Sequence, residues 1–215
     1  MVVAGVAAAA WVAVVWFWKD PFTMLYTTWE QHKLADRYDE RVRAWHTSVS
    51  HPSARTVRRR LAAEARRYRL SSRRGDAIGR IEVPRIGVDM VLVNGTDESS
   101  LEKGPGRDLR TYMPGEGRLV YIAGHRTTFA APFADIERLR PGDTITIEVP
   151  YGTFRYVVTR HVIVPADDLS RLRSPRHEVV ALQACHPRFF ASQRYIVYGK
   201  PAWVRLRSGR RYDLR

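Results

Sequence analysis

The segment TITIEVPYGTFRYVV, residues 144–158, alternates apolar and polar side chains on two arms around a Pro-Tyr-Gly connection. Strict alternation indicates half-buried β-strands, and a short connection between two such arms is typical of a hairpin. Outward from this hairpin, short β-branched runs separated by Gly and Pro fill most of the chain after Ile78. They predict strands at residues 78–83, 88–93, 119–123, 144–149, 153–158, 162–164, 179–182 and 195–198.

The chain is long enough for one ordinary domain and an appendage. It has 215 residues, 45% of them hydrophobic, with 12 Pro, 14 Gly and one Cys. Such a composition can build a core, and the single Cys excludes an internal disulfide and a Cys-rich zinc site. Many short strands with few helices favour a closed or nearly closed barrel over a parallel α/β sheet. We predict an all-β domain over residues 77–207 and a basic C-terminal tail over residues 208–215.

The N-terminus predicts a membrane span. Residues 2–18, VVAGVAAAAWVAVVWFW, contain no charged residue and no Asn, Gln, Ser or Thr. As a helix this run would be roughly 25 Å long against a hydrocarbon core of about 30 Å, so we predict a transmembrane helix over residues 1–18. A cleaved signal peptide is disfavoured because the run lacks a basic n-region and a small-residue cleavage site. The positive-inside rule conflicts with an extracellular body, since Lys19 follows the run.

Residues 19–76 predict a basic helical stalk that ends in a linker. Apolar residues recur every three to five positions from Pro21 to about Ser50, which indicates a helix. A short amphipathic helix follows, with its apolar residues at Val57, Leu61, Ala65 and Tyr68. Residues 71–76 are typical of a linker.

The net charge of +14 arises from 36 basic and 22 acidic residues, and it is densest in residues 55–74. A block of this kind is more often a solvated surface than a specific reader of nucleic acid. Beside a membrane it can also hold anionic lipid or polymer. We therefore expect no nucleic-acid partner.

Three side chains at predicted strand ends are candidates for chemistry. Cys185 ends the strand that begins at Val179 and precedes a Pro-marked loop. A lone Cys is usually buried packing, but at a strand end it can face a groove and act as a nucleophile. His125 follows the strand 119–123 in a similar place. A single His is more often a surface or structural residue, and its pairing with Cys185 is what favours a catalytic role. Arg194 opens a later strand, where its guanidinium would lie beside Cys185 and could bind a carbonyl or an oxyanion.

These residues and their surroundings resemble the sortases, which are bacterial cysteine transpeptidases. The resemblance covers about residues 78–204, and it rests on AGHRTTFAAPF at 123–133, LRPGD at 139–143 and ACHP at 184–187 with a later Ser-Gln-Arg. It is most similar to the class E sortases of high-GC Gram-positive bacteria, with which the Arg-rich composition agrees. The resemblance implies an eight-stranded sortase-type β-barrel, located at the cell membrane with its catalytic domain outside the cell.

The resemblance also implies an activity. A C-terminal sorting signal of LAxTG or LPxTG type would be cleaved between Thr and Gly, through a thioester on Cys185. His125 would protonate the leaving amine and later deprotonate the incoming one, while Arg194 would hold the substrate backbone or the oxyanion. Substrate-binding roles are implied for Leu182, Ala184 and Gly124.

The implied partners are secreted proteins bearing the sorting signal and an amine of a peptidoglycan precursor or a pilin. The membrane is a further partner through the N-terminal helix, and we expect a monomer. No cluster of carboxylates is spaced like a calcium loop, so neither a metal nor another cofactor is expected.

The sequence departs from the family pattern at three points. Ala181 and Ala184 stand where the usual Thr-Leu-x-Thr-Cys strand has Thr, which removes two hydroxyls near the nucleophile. The motif at residues 20–22, Asp-Pro-Phe, resembles the lid of pilus-building sortases, but we interpret it as chance because it abuts the predicted span, far from the barrel. His186 is a second imidazole next to the thiol, and on a strand its side chain would point away from that of Cys185.

Two other interpretations stay open at this stage. An L,D-transpeptidase is also β-rich and uses Cys and His, but its Ser-His-Gly-Cys pattern is absent here. A membrane-tethered binding or assembly module with weak or no turnover is compatible with the loss of both Thr residues. A reactive thiol would distinguish an enzyme from that module.

Overall fold

The computed structural model describes residues 21–47 and 56–214, together with Gly5. The predicted membrane span over residues 1–18 therefore lies, apart from Gly5, outside the described residues. Within the described ranges, no helix is both long enough and apolar enough to cross a bilayer.

The described residues form a β-rich domain preceded by two helices. The α-helices are α1 (Pro21–Ala44), α2 (Val57–Ser71) and the single turn α3 (Glu98–Leu101). The strands are β1 (Ala77–Val83), β2 (Val88–Asn94), β3 (Gly106–Arg107), β4 (Leu119–Ala123), β5 (Thr144–Val149), β6 (Gly152–Pro165), β7 (Val179–His186), β8 (Gln193–Leu206) and β9 (Arg211–Asp213). Short 3₁₀ turns lie at Pro84–Ile86, Ile136–Arg138 and Leu169–Leu172.

Eight strands close into a barrel, in the order β6-β5-β1-β2-β3-β4-β7-β8, because β8 pairs with β6. This confirms the predicted all-β barrel. The hairpin of residues 144–158 is also confirmed, since β5 and β6 pair from Val149↔Gly152 to Thr144↔Val157. Closure removes the open edges that an isolated sheet would expose.

The strands differ from the sequence prediction in several places, among them β8, which spans Gln193–Leu206 where only residues 195–198 were predicted. Strand β6 is one continuous strand of 14 residues and absorbs two predicted ones, because its partner β8 is equally long. Strand β3 has only two residues and carries no periodic signal. The predicted C-terminal tail contains β9, which pairs with β8 through Trp203↔Asp213.

Alternation along the strands separates a barrel interior from an outer face. Val120 and Ile122 of β4 and Val180 and Leu182 of β7 belong to the main core, where each is fully buried. Their sequence neighbours on β4 and β7 face the opposite side of the sheet, where they join residues of β6 and β8 in a second apolar cluster made of Leu119, Tyr121, Val164, Ala181, Ile196 and Tyr198. We call this second side of β4, β7 and β8 the outer face. It is the surface on which the candidate site lies.

Both N-terminal helices pack on the barrel. The four apolar residues predicted for α2, from Val57 to Tyr68, are buried in the main core, and the Tyr68 hydroxyl donates to the carbonyl of Ile78 at 3.0 Å. Helix α1 packs Leu34 and Tyr38 against β1 and β2. The segment expected to be a linker is held as well, because buried Asn94 donates to the carbonyls of residues 72 and 73. The region predicted as a stalk is thus part of the folded body where it is described.

We predict that α2 stabilises the barrel rather than merely connecting it. Leu61 is 1% exposed in the main core, so Leu61→Ala should lower the free energy of unfolding by about 3 kcal/mol. Arg66→Ala on the exposed face of the same helix should change it by less than about 0.5 kcal/mol. Urea denaturation followed by tryptophan fluorescence measures both. Equal, small effects would show that α2 folds independently of the barrel.

Candidate active site

The registers of three neighbouring strands bring Cys185, His125 and Arg194 together. Strands β4 and β7 are parallel with Ala123 opposite Gln183, so His125 and Cys185 each lie two residues beyond that pair. Strands β7 and β8 are antiparallel, and Cys185 is directly opposite Arg194. Cα atoms of directly opposed residues are about 4.5–5.5 Å apart. The thiol, the imidazole and the guanidinium therefore meet at one end of the outer face.

All three residues line one cavity of about 270 Å³. Its floor comes from the outer face, through Tyr121, Ala123, Gln183 and Ile196. Residues Ala166, Asp168, Leu169 and Leu172, which follow β6, form a wall. Gly124, predicted as a substrate-binding residue, also lines this cavity. An extended peptide entering the cavity would therefore pass Cys185 with apolar floor on one side.

His125 is held in an apolar setting that favours its neutral form. Its ring lies 5.0 Å from that of Phe129, between centroids. Burial lowers the pKa of His125 below its ordinary value, although Glu102 and Glu98 partly oppose the shift. Within the described residues, the buried Nε2 atom has no hydrogen-bond partner. A buried polar nitrogen without a hydrogen-bond partner costs about 1–3 kcal/mol.

The loop after His125 is shaped by close packing. A side chain at Gly124 would place its Cβ 2.7 Å from the ring of Phe133, so only glycine fits there. Residues 129–131, Phe-Ala-Ala, have φ of 52°, 59° and 41°, in the left-handed region that non-glycine residues rarely adopt. These contacts fix where the strand end projects His125.

Helix α1 holds this loop from the other side. The Phe129 amide donates to Thr23 Oγ1 at 2.8 Å, and the rings of Tyr26 and Phe129 make an edge contact at 6.4 Å. The first turn of α1, which begins at Pro21, therefore lies against the barrel beside His125 and not far from it as expected, whereas residue 20 lies outside the described residues. The sequence could not show this, since the contact joins residues 106 apart.

The Arg194 guanidinium is anchored in the loop between β7 and β8. Its Nη1 atom donates to the carbonyls of Ala191 at 2.8 Å and Gln193 at 2.9 Å. No hydrogen bond from its Nε or Nη2 atom is present within the described residues. Arg194 thus lines the cavity, and its Nε and Nη2 donors are available to a ligand.

Arg126 is a site residue that the sequence analysis did not single out. Its guanidinium is nearly buried and donates to the Cys185 carbonyl at 3.2 Å, to His186 Nδ1 at 2.9 Å and to Glu137 Oε2 at 2.6 Å. Arg126 therefore fixes the backbone of Cys185 through its carbonyl oxygen. Arg126 also hydrogen-bonds His186, the second imidazole, which does not line the cavity that contains Cys185. The only sequence signal was its place directly after His125.

Asp108 and Arg110 also line the cavity, and the sequence analysis did not predict them. Arg110 donates to both carboxylate oxygens of Asp108, at 3.0 and 2.7 Å. Burial raises the pKa of Asp108, but the hydrogen bonds and charge of Arg110, together with a hydrogen bond from Thr96, outweigh this effect, and the pKa is lowered. Both residues precede β4 without any motif, so only the fold brings them to the site.

Two predicted substrate-binding residues are corrected by the structure. Leu182 and Ala184 are fully buried in the main core and do not line the cavity. The reason is the two-residue period of β7, which turns Gln183 and Cys185 outward and Leu182 and Ala184 inward. Of the two alanines that replace Thr, only Ala181 lies on the outer face.

Comparisons with known proteins agree with this geometry. Residues 81–202 match the sequence profile of the Sortase domain family. Sortase D of Bacillus subtilis is 35% identical over 131 residues, covering 59% of this chain and 64% of that protein. The chain thus spans less than two thirds of the length of the curated relatives it matches.

Two solved structures show the same architecture. The Clostridium perfringens sortase D5 transpeptidase is 25% identical, with a TM-score of 0.63 over 80% of this chain and 98% of that one. Sortase E1 from Streptomyces coelicolor, solved with a tripeptide in the active site, is 27% identical, with a TM-score of 0.58 over 62% and 93%.

We predict that the Phe129 ring keeps the pKa of His125 low. Phe129→Ala would admit water beside the imidazole, which stabilises its charged form, so the pKa should rise towards the ordinary value of about 6.5. An NMR titration of the His125 ring measures the midpoint. Phe190→Ala, which removes a largely exposed ring, is the control and should leave the midpoint unchanged. An unchanged midpoint in Phe129→Ala would assign the low pKa to other neighbours.

Proposed function

Because the chain belongs to the sortase family, we propose that it is a cysteine transpeptidase that cleaves a C-terminal sorting signal of LAxTG or LPxTG type. The observation that carries this proposal is the convergence of Cys185, His125 and Arg194 on one cavity. Acyl transfer through a thioester needs a nucleophile, a proton carrier and a donor for the oxyanion, and these side chains supply them. The tripeptide in the active site of sortase E1 supports a peptide as the occupant.

The proposed reaction has two halves. In the first, the Cys185 sulfur attacks the Thr carbonyl while neutral His125 takes the thiol proton. The C–N bond to Gly then breaks, and His125 passes its proton to the leaving amine, so that a thioester remains. In the second, an incoming amine gives a proton to His125 and attacks the thioester, and the proton returns to the departing thiolate. The lowered pKa of His125 suits this cycle because the resting imidazole is ready to accept a proton.

Arg194 is proposed to stabilise the negative oxygen that forms at the Thr carbonyl. With Nη1 committed to loop carbonyls, its remaining donors are oriented before the substrate arrives. A guanidinium whose position is set in advance costs little reorganisation when charge develops. Arg126 would act differently, as a positioning residue that holds the Cys185 carbonyl and touches no substrate.

Within the sortase family, we propose class E, with class D as the alternative, because the similar proteins include members of both classes. The resemblance at residues 123–133 and 184–194 favours class E, and sortase E1 is among the matching structures. A sortase D is 35% identical, which supports class D as well. Transfer to an amine of a peptidoglycan precursor or a pilin completes the proposed activity.

We predict that wild-type protein forms a thioester with LAxTG or LPxTG peptides and resolves it with an added amine. A shortened chain beginning at residue 20, which retains α1, should show the acyl mass on Cys185 in intact-protein mass spectrometry. Cys185→Ala should show none. His125→Ala and Arg194→Ala should lower the rate of acylation by at least about 100-fold, as expected for a proton carrier and an oxyanion donor.

Alkylation of Cys185 by iodoacetamide in the wild type and in the His125 and Arg194 variants is the control for an accessible thiol. A thiol that alkylates but is never acylated by either peptide would point to a different signal. A native thiol inert to both reagents would contradict the transpeptidase and favour a binding module. The relative rates of the two peptides would identify the preferred signal.

The membrane anchor and the position of the catalytic domain are also proposed. The uncharged run at residues 2–18 supports a transmembrane helix, and substrates that are secreted require the barrel outside the cell. Residues 19–76 would then be the basic membrane-proximal region, residues 77–207 the catalytic domain and residues 208–215 a C-terminal extension. Lys19 opposes this orientation by the positive-inside rule.

Reporter fusions test the orientation. Alkaline phosphatase fused after Asp76 should be active and a fluorescent protein that folds only in the cytoplasm should be dark, because the barrel is expected outside. The reverse result would contradict both the proposed localisation and access to secreted substrates. Fusions to a chain lacking residues 1–18 are the control, and they should report a cytoplasmic location.

A further inference from the structure

Helix α1 begins at the end of the barrel that carries the catalytic residues. Strands β4 and β7 are parallel, so the loops that follow them, residues 124–135 and 187–192, leave the barrel at the same end. We call this the catalytic end, because His125 lies in the first loop and Cys185 directly precedes the second. The Phe129 amide of the first loop donates to Thr23 Oγ1 at 2.8 Å. The first turn of α1 is therefore held at the catalytic end.

The exposed side of α1 is apolar in its first two turns and polar beyond them. Ten large apolar side chains are exposed among the described residues, and four of these lie within residues 24–29. We call these four, which are Met24, Leu25, Tyr26 and Trp29, the apolar group of α1. From residue 32 to residue 43, the exposed positions of the helix are His32, Asp36, Arg37, Asp39, Glu40 and Arg43. Single exposed apolar residues are ordinary, whereas a contiguous group marks an interaction surface.

The opposite side of the same turns is fixed on the barrel. Thr27 is fully buried, and its hydroxyl donates to the Glu102 carbonyl at 2.7 Å. Gln31 exchanges two hydrogen bonds with the backbone of Val91, at 2.7 and 3.1 Å. The helix cannot rotate to bury its apolar group without breaking these hydrogen bonds. The group therefore needs a partner from outside the barrel.

The sequence before α1 indicates which partner covers the apolar group. Residues 2–18 are uncharged and would cross the bilayer in the proposed membrane anchor. Three residue steps of at most about 3.6 Å separate residue 18 from Pro21, so α1 begins within about 11 Å of the end of the uncharged run. Trp and Tyr side chains are enriched in the interfacial layer at this depth. The lipid surface is thus close to the apolar group and matches its chemistry.

The loop between β7 and β8 adds an exposed ring at the catalytic end. Phe190 lies in this loop and is 75% exposed. The loop is joined to the one after β4, because Arg188 Nη2 donates to the Ala134 carbonyl and to Asp135 Oδ1. The catalytic end thus carries exposed apolar side chains on two separate segments of the chain.

We propose that the apolar group of α1, together with Phe190, is a docking face for the lipid bilayer. This inference rests on the proposed membrane anchor and not on the proposed chemistry. Interfacial side chains of this kind reach about 5–10 Å into the boundary between headgroups and acyl chains. The docking face is linked to the site, since the ring of Tyr26 contacts that of Phe129, which contacts that of His125. Docking would therefore hold the catalytic cavity beside the membrane surface, where it meets substrates that are themselves carried on the membrane.

The depth of α1 in a bilayer tests the docking face without any catalytic reaction. Cys185→Ala removes the one thiol of the chain, and Thr28→Cys then places a single fluorescent label on the exposed side of the second turn. The full-length protein is reconstituted in phosphatidylcholine vesicles, and the quencher is either a nitroxide-bearing lipid or aqueous iodide. The label at residue 28 should be quenched by the lipid at least about threefold more than a label at Asp36→Cys, about 12 Å further along the helix. Iodide should give the reverse order, and high salt should change neither result, because apolar burial is not screened.

Charges in the apolar group should lift the helix from the lipid. In Leu25→Asp/Trp29→Asp, the label at residue 28 should become as accessible to iodide as the label at residue 36, while residues 2–18 keep the chain on the vesicles. The matched control is Ala63→Asp/Leu70→Asp, which adds the same two charges at exposed positions of α2. Leu70 is 68% exposed, as is Leu25. The control should leave the label at residue 28 protected from iodide.

Other outcomes would overturn the docking face. Equal quenching of the labels at residues 28 and 36, or the same loss of protection in the α2 control, would show that the apolar group does not enter lipid. A label protected from iodide but not quenched by the nitroxide lipid would show that protein covers the group, as in a contact between two copies of the chain. If the wild-type protein did not float with vesicles in a density gradient, the proposed anchor would fail and the docking face with it. Failure of the transpeptidase reaction alone would leave the measured depth unchanged.

Discussion

The site depends on one constraint, the register between β4, β7 and β8. A slip of one residue in β7 would turn the Cys185 side chain into the barrel and bring Ala184 to the cavity, since side chains alternate along a strand. Two features oppose such a slip. The barrel closes through β6 and β8, which fixes the position of β8, and the interior face of β7 is fully buried. The packing of the core therefore sets the geometry of the chemistry.

The same constraint explains what the sequence could predict. Alternating strands such as 144–158 carry a local signal, so the all-β fold and its hairpin followed from the sequence. The proximity of Cys185 and Arg194 also followed, because a strand-loop-strand step is local. The inward direction of Leu182 and Ala184 was missed, although counting alternate residues from Cys185 would have given it. A resemblance to a family motif marks positions in sequence but does not state which face they occupy.

Contacts between distant segments had no such signal. Three such contacts join residues that are far apart in sequence. They are the packing of α2 in the core, the hydrogen bond between Thr23 and the loop after His125, and the hydrogen bonds of Arg126. Each is decided by tertiary packing, for which a basic amphipathic helix or an Arg in a loop gives no local pattern. The region expected to be a stalk is the clearest case, because its apolar stripe fits a barrel core as well as a free helix.

The replacement of two Thr by Ala has unequal consequences for the two positions. Ala184 lies in the core beside apolar neighbours, where a hydroxyl would need a hydrogen-bond partner, so alanine there is the less costly residue. Ala181 lies on the outer face between Tyr121 and Tyr198, where it is fully buried. Its side chain belongs to the apolar cluster of that face and not to the catalytic cavity. Neither replacement therefore alters a side chain that lines the cavity with Cys185.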